Sequence, residues 1–183
     1  MAEIYGVTGM PLAGKTTVAR LLEDEGFSVL DMGEVVRKEM EKRDKDVSET
    51  GEFVNGLREK KGMDAIARLS APYLEEILEE KEKVVITGMR GWDEKERFEK
   101  ETGEEIEIIA VWTSRQERKR RREERQREED IEGDGFHERD IRETENGVGQ
   151  LMALSDQMIK NDTRTARELE EKVKGLIEEE VEK

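Results

Sequence analysis

Along the chain, short runs of consecutive apolar residues alternate with stretches in which apolar residues return every three or four positions. The first pattern is that of strands buried on both faces, and the second is that of amphipathic helices. Five strands are predicted, at residues 3–8, 27–30, 84–86, 106–112 and 157–160. After the first, a helix starting near Lys15 presents Val18, Leu21 and Leu22 on one side. Residues 34–41 and 53–60 predict two short helices separated by a charged loop over 43–47. Ile66, Leu69, Tyr73, Leu74, Ile77 and Leu78 share one face of a longer helix, which Pro72 is expected to bend or restart, since proline lacks the N–H and crowds the preceding turn. Further helices are expected over 93–100, from 115 onward, over 136–143 and 148–154, and at the end on Leu169, Val173, Leu176 and Ile177. Ser114 with Glu117 three residues later reads as a capping box. The glycine and acid cluster at 132–135 reads as a loop. This alternation predicts an α/β protein of three layers, a five-stranded parallel sheet with helices on both faces, as one domain over residues 1–183.

Composition narrows the picture. Leu, Ile, Val and Phe make up about a fifth of the chain, just above the level at which a highly charged sequence stays disordered, so the core depends on their concentration in the runs above. Charged residues are 44% and the net charge is -15. That charge opposes non-specific binding to nucleic acid or to an anionic membrane. No apolar stretch approaches the roughly 18 to 20 residues of a membrane span and no signal-peptide pattern opens the chain, so a cytoplasmic protein is expected. The sequence has no cysteine, which excludes disulfides, thiolate zinc sites and thiol nucleophiles.

Gly9, Met10, Pro11, Leu12, Ala13, Gly14, Lys15 and Thr16 fit the pattern G-x-x-x-x-G-K-[ST], between the first predicted strand and the first predicted helix. In such a loop successive backbone N–H groups point at a polyphosphate and the helix N-terminus adds positive potential. The lysine reaches the β and γ phosphates, and the threonine hydroxyl ligates magnesium. Residues 9–17, ending at Thr17, are therefore expected to bind ATP, with Thr16 as the Mg2+ ligand.

Around this loop the sequence resembles P-loop kinases of the adenylate kinase and dephospho-coenzyme A kinase group, and in particular an archaeal family of nucleotide-kinase-like proteins. The resemblance rests on residues 6–16, 31–37, 85–90, 125–130, 139–143 and 155–161, in that order. It implies a P-loop NTPase fold of nucleotide kinase type, with a helical acceptor-binding insert about residues 33–80 and an arginine-rich lid about 114–142. It also implies an ATP-dependent phosphotransferase acting on a small-molecule acceptor, a nucleotide or a coenzyme precursor. Two departures stand out. Leu12 and Ala13 replace the small residues usual in relatives, and Thr87 stands where the third strand usually ends in a magnesium-holding aspartate. The metal would then lean on Thr16, the phosphates or Asp31.

Asp31 ends the second predicted strand, and Gly33, Glu34 and Arg37 follow it. The resemblance makes Arg37, and Arg90 past the third strand, grips for a phosphate on the acceptor. Both lie at the carboxyl ends of parallel strands, where ligands bind in open α/β sheets. Asp31 can be a general base toward a hydroxyl acceptor, a member of magnesium's surroundings, or only a helix cap. Residues 115–127 hold seven arginines and one lysine against three glutamates, a local charge of +5 in a chain whose remainder carries -20. Arg118, Arg121, Arg122 and Arg125 share a helix face. By resemblance this is the lid helix, with Arg118, Arg127, Arg139 and Arg142 closing on the transferred phosphoryl group, Arg127 among the catalytic residues with Lys15 and Asp31. His137 lacks partners for a metal site, Trp92 and Trp112 read as packing residues, and Asn161 and Asp162 fall where relatives approach the adenine or simply turn the chain. Transfer to a nucleotide-like acceptor is the leading expectation. Transfer to a hydroxyl, as in a dephospho-coenzyme A kinase, and a P-loop switch acting on a protein partner are the alternatives.

Overall fold

The structure is a computed structural model that describes residues 2–125, 135–162 and 165–181 of the 183. Five strands form one sheet: β1 (Glu3–Thr8), β2 (Ser28–Asp31), β3 (Lys83–Thr87), β4 (Glu107–Trp112) and β5 (Gln157–Lys160). All neighbouring pairs are parallel, in the order β2-β3-β1-β4-β5. The central strand β1 and its neighbours β3 and β4 are the most continuously apolar, because both of their faces are covered.

Helices α1 (Lys15–Asp24) and α9 (Ala166–Val181) cover one face. There Tyr5, Val7, Ile109, Val111 and Ile159 pack on Val18, Leu22, Leu169, Val173 and Leu176. The other face carries α2 (Met32–Glu41), α3 (Thr50–Lys61), α4 (Ala65–Leu78), α5 (Trp92–Thr102) and α8 (Val148–Ala153). Its core is built on Ile4, Val84, Ile86 and Ile108 against Met32, Val36, Phe53, Leu74, Phe98 and Leu151. Helices α6 (Arg115–Arg125) and α7 (Phe136–Glu145) lie at the carboxyl end of the sheet. Among the described residues no helix is long and apolar enough to cross a membrane.

Two local expectations are corrected. Helix α4 runs unbroken through Pro72, because Pro72 is exposed and the carbonyl that loses its partner can bond water. Only half of the capping box at α6 forms. The Glu117 N–H donates to Ser114 Oγ at 3.3 Å, but the Ser114 N–H goes to Asp162 Oδ1 at 2.6 Å. The Glu117 carboxylate is taken by Arg120 and Arg121, which hold it near pH 2. Trp92 packs against the core as expected, whereas Trp112 is over a third exposed at the carboxyl end of β4 beneath Lys160.

Candidate active site

The loop between β1 and α1 turns back across the end of β4. Gly9 adopts φ 147°, and a Cβ there would run into the Val111 carbonyl, so no other residue fits. Gly14, at φ 103°, is the N-cap of α1 and supplies no side-chain cap. The first N–H groups of the helix, those of Lys15 and Thr16, therefore have no intrahelical acceptor, and a helix N-terminus of this kind offers the donors a polyphosphate requires. Leu12 takes φ 66°, a left-handed conformation unusual for a side chain of its size. Lys15 folds over the loop, its Nζ donating to the carbonyls of Gly9 at 2.7 Å and Met10 at 3.0 Å. Burial pulls its ammonium down to about 8; Glu143 pulls it back up, and Arg90, Arg139 and Arg118 push it further down. Thr16 and Thr17 are exposed at the loop's mouth. Among the described residues no group of three or more aspartates, glutamates or histidines could hold a metal ion, and the residue here that fits a magnesium ion carried in by a nucleotide is Thr16, whose side chain is exposed.

Side chains from two later elements brace this loop. The Ala13 carbonyl accepts from Thr113 Oγ1 at 2.9 Å, Asn161 Nδ2 at 2.9 Å and Arg121 Nη1 at 3.2 Å. Arg121 also donates to the Leu12 carbonyl at 3.2 Å and, through Nη2, to the Asn161 carbonyl at 2.6 Å. Asn161 is thus a buried strut between the loop and β5. Arg118 is 4% exposed and makes a two-pronged pair with Asp140, at 2.6 and 2.9 Å, while its Nη1 reaches the Pro11 carbonyl at 3.3 Å. It ties α6 to α7 and to the rim of the loop. Its guanidinium also lies over the ring of Phe136.

Beside the loop opens a cleft of about 470 Å³, lined by Pro11 and Leu12 of the loop, Thr50, Val54, Asn55 and Arg58 of α3, Arg90, Arg122 of α6, and Arg139, Asp140, Arg142, Glu143 and Asn146 on and after α7. Arg90, Arg139 and Arg142, expected from the sequence, are brought together here. Arg122, one of the four arginines expected on the lid-helix face, is here too, and Arg58 and Glu143 join them without having been expected. Arg58 is buried, donating to Asn146 Oδ1 at 2.9 Å and Glu94 Oε1 at 3.3 Å. Glu94 accepts the Arg90 N–H at 2.7 Å and is so enclosed that burial raises its pKa. The sequence carries no signal that sets Arg58 apart from the other charged residues of α3, because its burial appears only in the fold.

Asp31 and Arg37 do not line the cleft. Asp31 is the N-cap of α2, its Oδ1 accepting from the N–H groups of Gly33 at 2.7 Å and Glu34 at 3.3 Å. Arg37 lies 3.7 Å from Asp31 Oδ2, both side chains well exposed. The strand register sets Asp31 beside Thr87, the position without the aspartate. Arg127 lies outside the described residues.

A parallel sheet with this strand order, carrying a glycine-lysine-threonine loop on its central strand, defines a P-loop kinase-like protein. A family model described as an AAA domain matches residues 6–145. A UPF0200 protein of Thermococcus onnurineus is 36% identical over 94% of this chain and 95% of its own length. A UPF0200/UPF0201 protein of Archaeoglobus fulgidus is 34% identical over 96% of this chain, which spans 55% of that relative. The chain belongs to the UPF0200 family. Solved structures of like fold include a shikimate kinase from Bacteroides thetaiotaomicron (TM-score 0.61, 19% identity, 96% and 98% of the two chains) and a shikimate kinase from Acinetobacter baumannii in complex with shikimate (TM-score 0.60, 19% identity, 98% and 94%). A sugar kinase from Janibacter also shares the fold (TM-score 0.57, 14% identity, 97% and 95%).

Proposed function

We propose that the chain transfers the γ-phosphoryl group of ATP, with magnesium, to a small anionic acceptor of nucleotide type bound in the arginine-lined cleft. The observation that carries this reading is the cleft's place, with the rim of the phosphate loop as one wall and arginines from four separate segments as the others. Phosphoryl transfer needs little covalent help from the protein, and most of it is positioning and charge stabilisation. Lys15 would meet the β and γ phosphates, Thr16 the magnesium, and the α1 N-terminus the remaining phosphate oxygens. Arg90, Arg122, Arg139 and Arg142 would hold the acceptor and the group in flight, since guanidinium forks match phosphate oxygens. Arg118 would act at one remove by fixing α7 against the loop rim, and Arg37 with Asp31 would border the acceptor's entrance. Arg127 is kept as a lid candidate on sequence grounds. A cytoplasmic location, the helical insert at 33–80 and the lid at 114–142 belong to the same reading.

Transfer to a hydroxyl is the second reading, supported by the fold likeness to shikimate and sugar kinases. ATP consumption measured against nucleoside monophosphates, dephospho-coenzyme A and shikimate separates the two. Stimulation by a nucleoside monophosphate is expected, because acceptor binding completes the site and excludes water. Stimulation confined to a neutral or hydroxyl acceptor, or to a protein partner, would overturn the first reading.

A further inference from the structure

Glu143 is 7% exposed, yet it lines the cleft. Its Oε2 accepts from Arg90 Nε at 2.9 Å, and the Arg90 side chain is 42% exposed. The buried partner of this pair is therefore the carboxylate, and the arginine is the part open to an entering ligand.

The carboxylate's position is built in by the backbone. Gly147, just after α7, has φ 103°, and a Cβ there would stand 3.1 Å from the Arg90 carbonyl. A Cβ on Gly91 would stand 3.3 Å from the Asn146 carbonyl. Arg58 spans the same junction, bonded to Asn146 on one side and to Glu94, which holds the Arg90 N–H, on the other. The end of α7 and the turn carrying Arg90 are thus pinned together, and Glu143 sits one helical turn before that junction.

We infer that Glu143 is an internal counter-anion that determines the charge an acceptor must bring: a ligand that reaches Arg90 must compete for its guanidinium with a carboxylate already on Nε. This rests on the cleft being the acceptor site. A singly charged carboxylate ligand exchanges like for like and gains little at Arg90. A phosphomonoester dianion brings twice the charge and more acceptor oxygens to the same guanidinium, so it gains in the exchange. Selectivity here comes from a repulsive element placed against the wrong ligand. Glu143 also opposes the effect that Arg90, Arg139 and Arg118 have on the Lys15 ammonium.

The test is calorimetric titration of inorganic phosphate and of acetate into the full chain with the loop filled by ADP and magnesium. The wild type should bind phosphate at least about tenfold more tightly than acetate. Glu143→Gln should tighten phosphate by about tenfold and bring acetate into the measurable range, Glu143→Asp should restore selectivity, and Arg90→Gln with Glu143→Gln should show neither gain. A brace of purely structural purpose would weaken binding when removed. Unchanged or weaker phosphate binding by a Glu143→Gln protein that melts like the wild type overturns the assignment. Should that variant not fold, equal affinity of the wild type for phosphate and acetate overturns it instead. If ADP does not bind the wild type, the kinase reading falls, and the same titrations without nucleotide still decide Glu143.

Discussion

The two halves of the cleft are built on opposite plans. On the nucleotide side, every group that would touch a phosphate comes from nine consecutive residues, 9–17, and most are backbone N–H groups whose direction is fixed by Gly9 and Gly14. The acceptor side is assembled from side chains on α3, on the turn after β3, on α6 and on α7, among them Arg58 and Arg90, which are held by the buried carboxylates of Glu94 and Glu143. A backbone site is specified by local sequence and tolerates change around it. A side-chain site depends on partners far apart in the chain, such as the ion pair of Arg58 with Glu94, 36 positions on, and the hydrogen bond of Arg58 to Asn146, 88 positions on.

The largest expected effect is therefore on stability and on the acceptor side. Arg58→Met removes the guanidinium paired with Glu94, which is 1% exposed, and leaves a buried carboxylate with the Arg90 N–H as its remaining described hydrogen bond. Breaking such a pair costs about 3 to 5 kcal/mol. Chemical denaturation should show that loss, and Arg58→Met with Glu94→Gln should recover part of it. A loss well under 1 kcal/mol would mean that the acceptor side is held by packing alone.

The same contrast explains what the sequence disclosed. All five strands fall within one or two residues of their expected ends, because runs such as Ile108, Ile109, Ala110 and Val111 have no alternative to burial on both faces. The phosphate loop was legible because its function lies in consecutive positions. The acceptor side was read by spacing from Asp31 and Arg37, and spacing carries no information about partners. Arg118 looked like one phosphate grip among several on its helix face, and only the fold shows that Asp140, 22 residues on, has claimed it. Glu143 and Arg58 were invisible for the same reason, as charged helix residues in a chain where 44% of residues are charged.

Next in size is the lysine of the loop. Lys15→Ala should lower turnover by about 10² to 10³, as for other groups aimed at charge developing in the transition state. It should also separate function from stability. In the folded protein the Lys15 ammonium titrates near 8 against an ordinary 10.5, so between those values the unfolded chain binds more protons and stability rises with pH. Below about 8 the charge is present in both states and burdens the folded one. Lys15→Met is thus expected to melt higher than the wild type at neutral pH, with the gain shrinking as the pH climbs past 8. A variant that melts lower throughout would show that the bonds to the Gly9 and Met10 carbonyls outweigh the cost of burial.

On the acceptor side, Arg90→Ala should raise the acceptor's KM far more than that of ATP, with kcat/KM for the acceptor falling by about 1.5 to 3 kcal/mol. Arg37→Ala should do less, since Arg37 is half exposed and lies 3.7 Å from its one described carboxylate partner. Steady-state kinetics with both substrates varied gives the ranking, and Arg37 outranking Arg90 would move the acceptor out of the cleft and onto α2.

The smallest effect is expected at Asp31, where the two halves of the site compete for one residue. As a general base, Asp31 would have to present a carboxylate oxygen to a hydroxyl, and Asp31→Asn would lower kcat by about 10² to 10⁴. In the structure Oδ1 is taken by the N–H groups of Gly33 and Glu34, and Oδ2 faces Arg37. Asparagine caps a helix about as well as aspartate, so Asp31→Asn should leave both kcat and the melting temperature nearly unchanged, whereas Asp31→Ala should cost about 1 kcal/mol of stability through the lost cap. The two variants together make the reading specific, because a base is lost in both and a cap in only one. A large fall in kcat for Asp31→Asn, with its stability intact, would return Asp31 to the chemistry and favour a hydroxyl acceptor over the phosphomonoester.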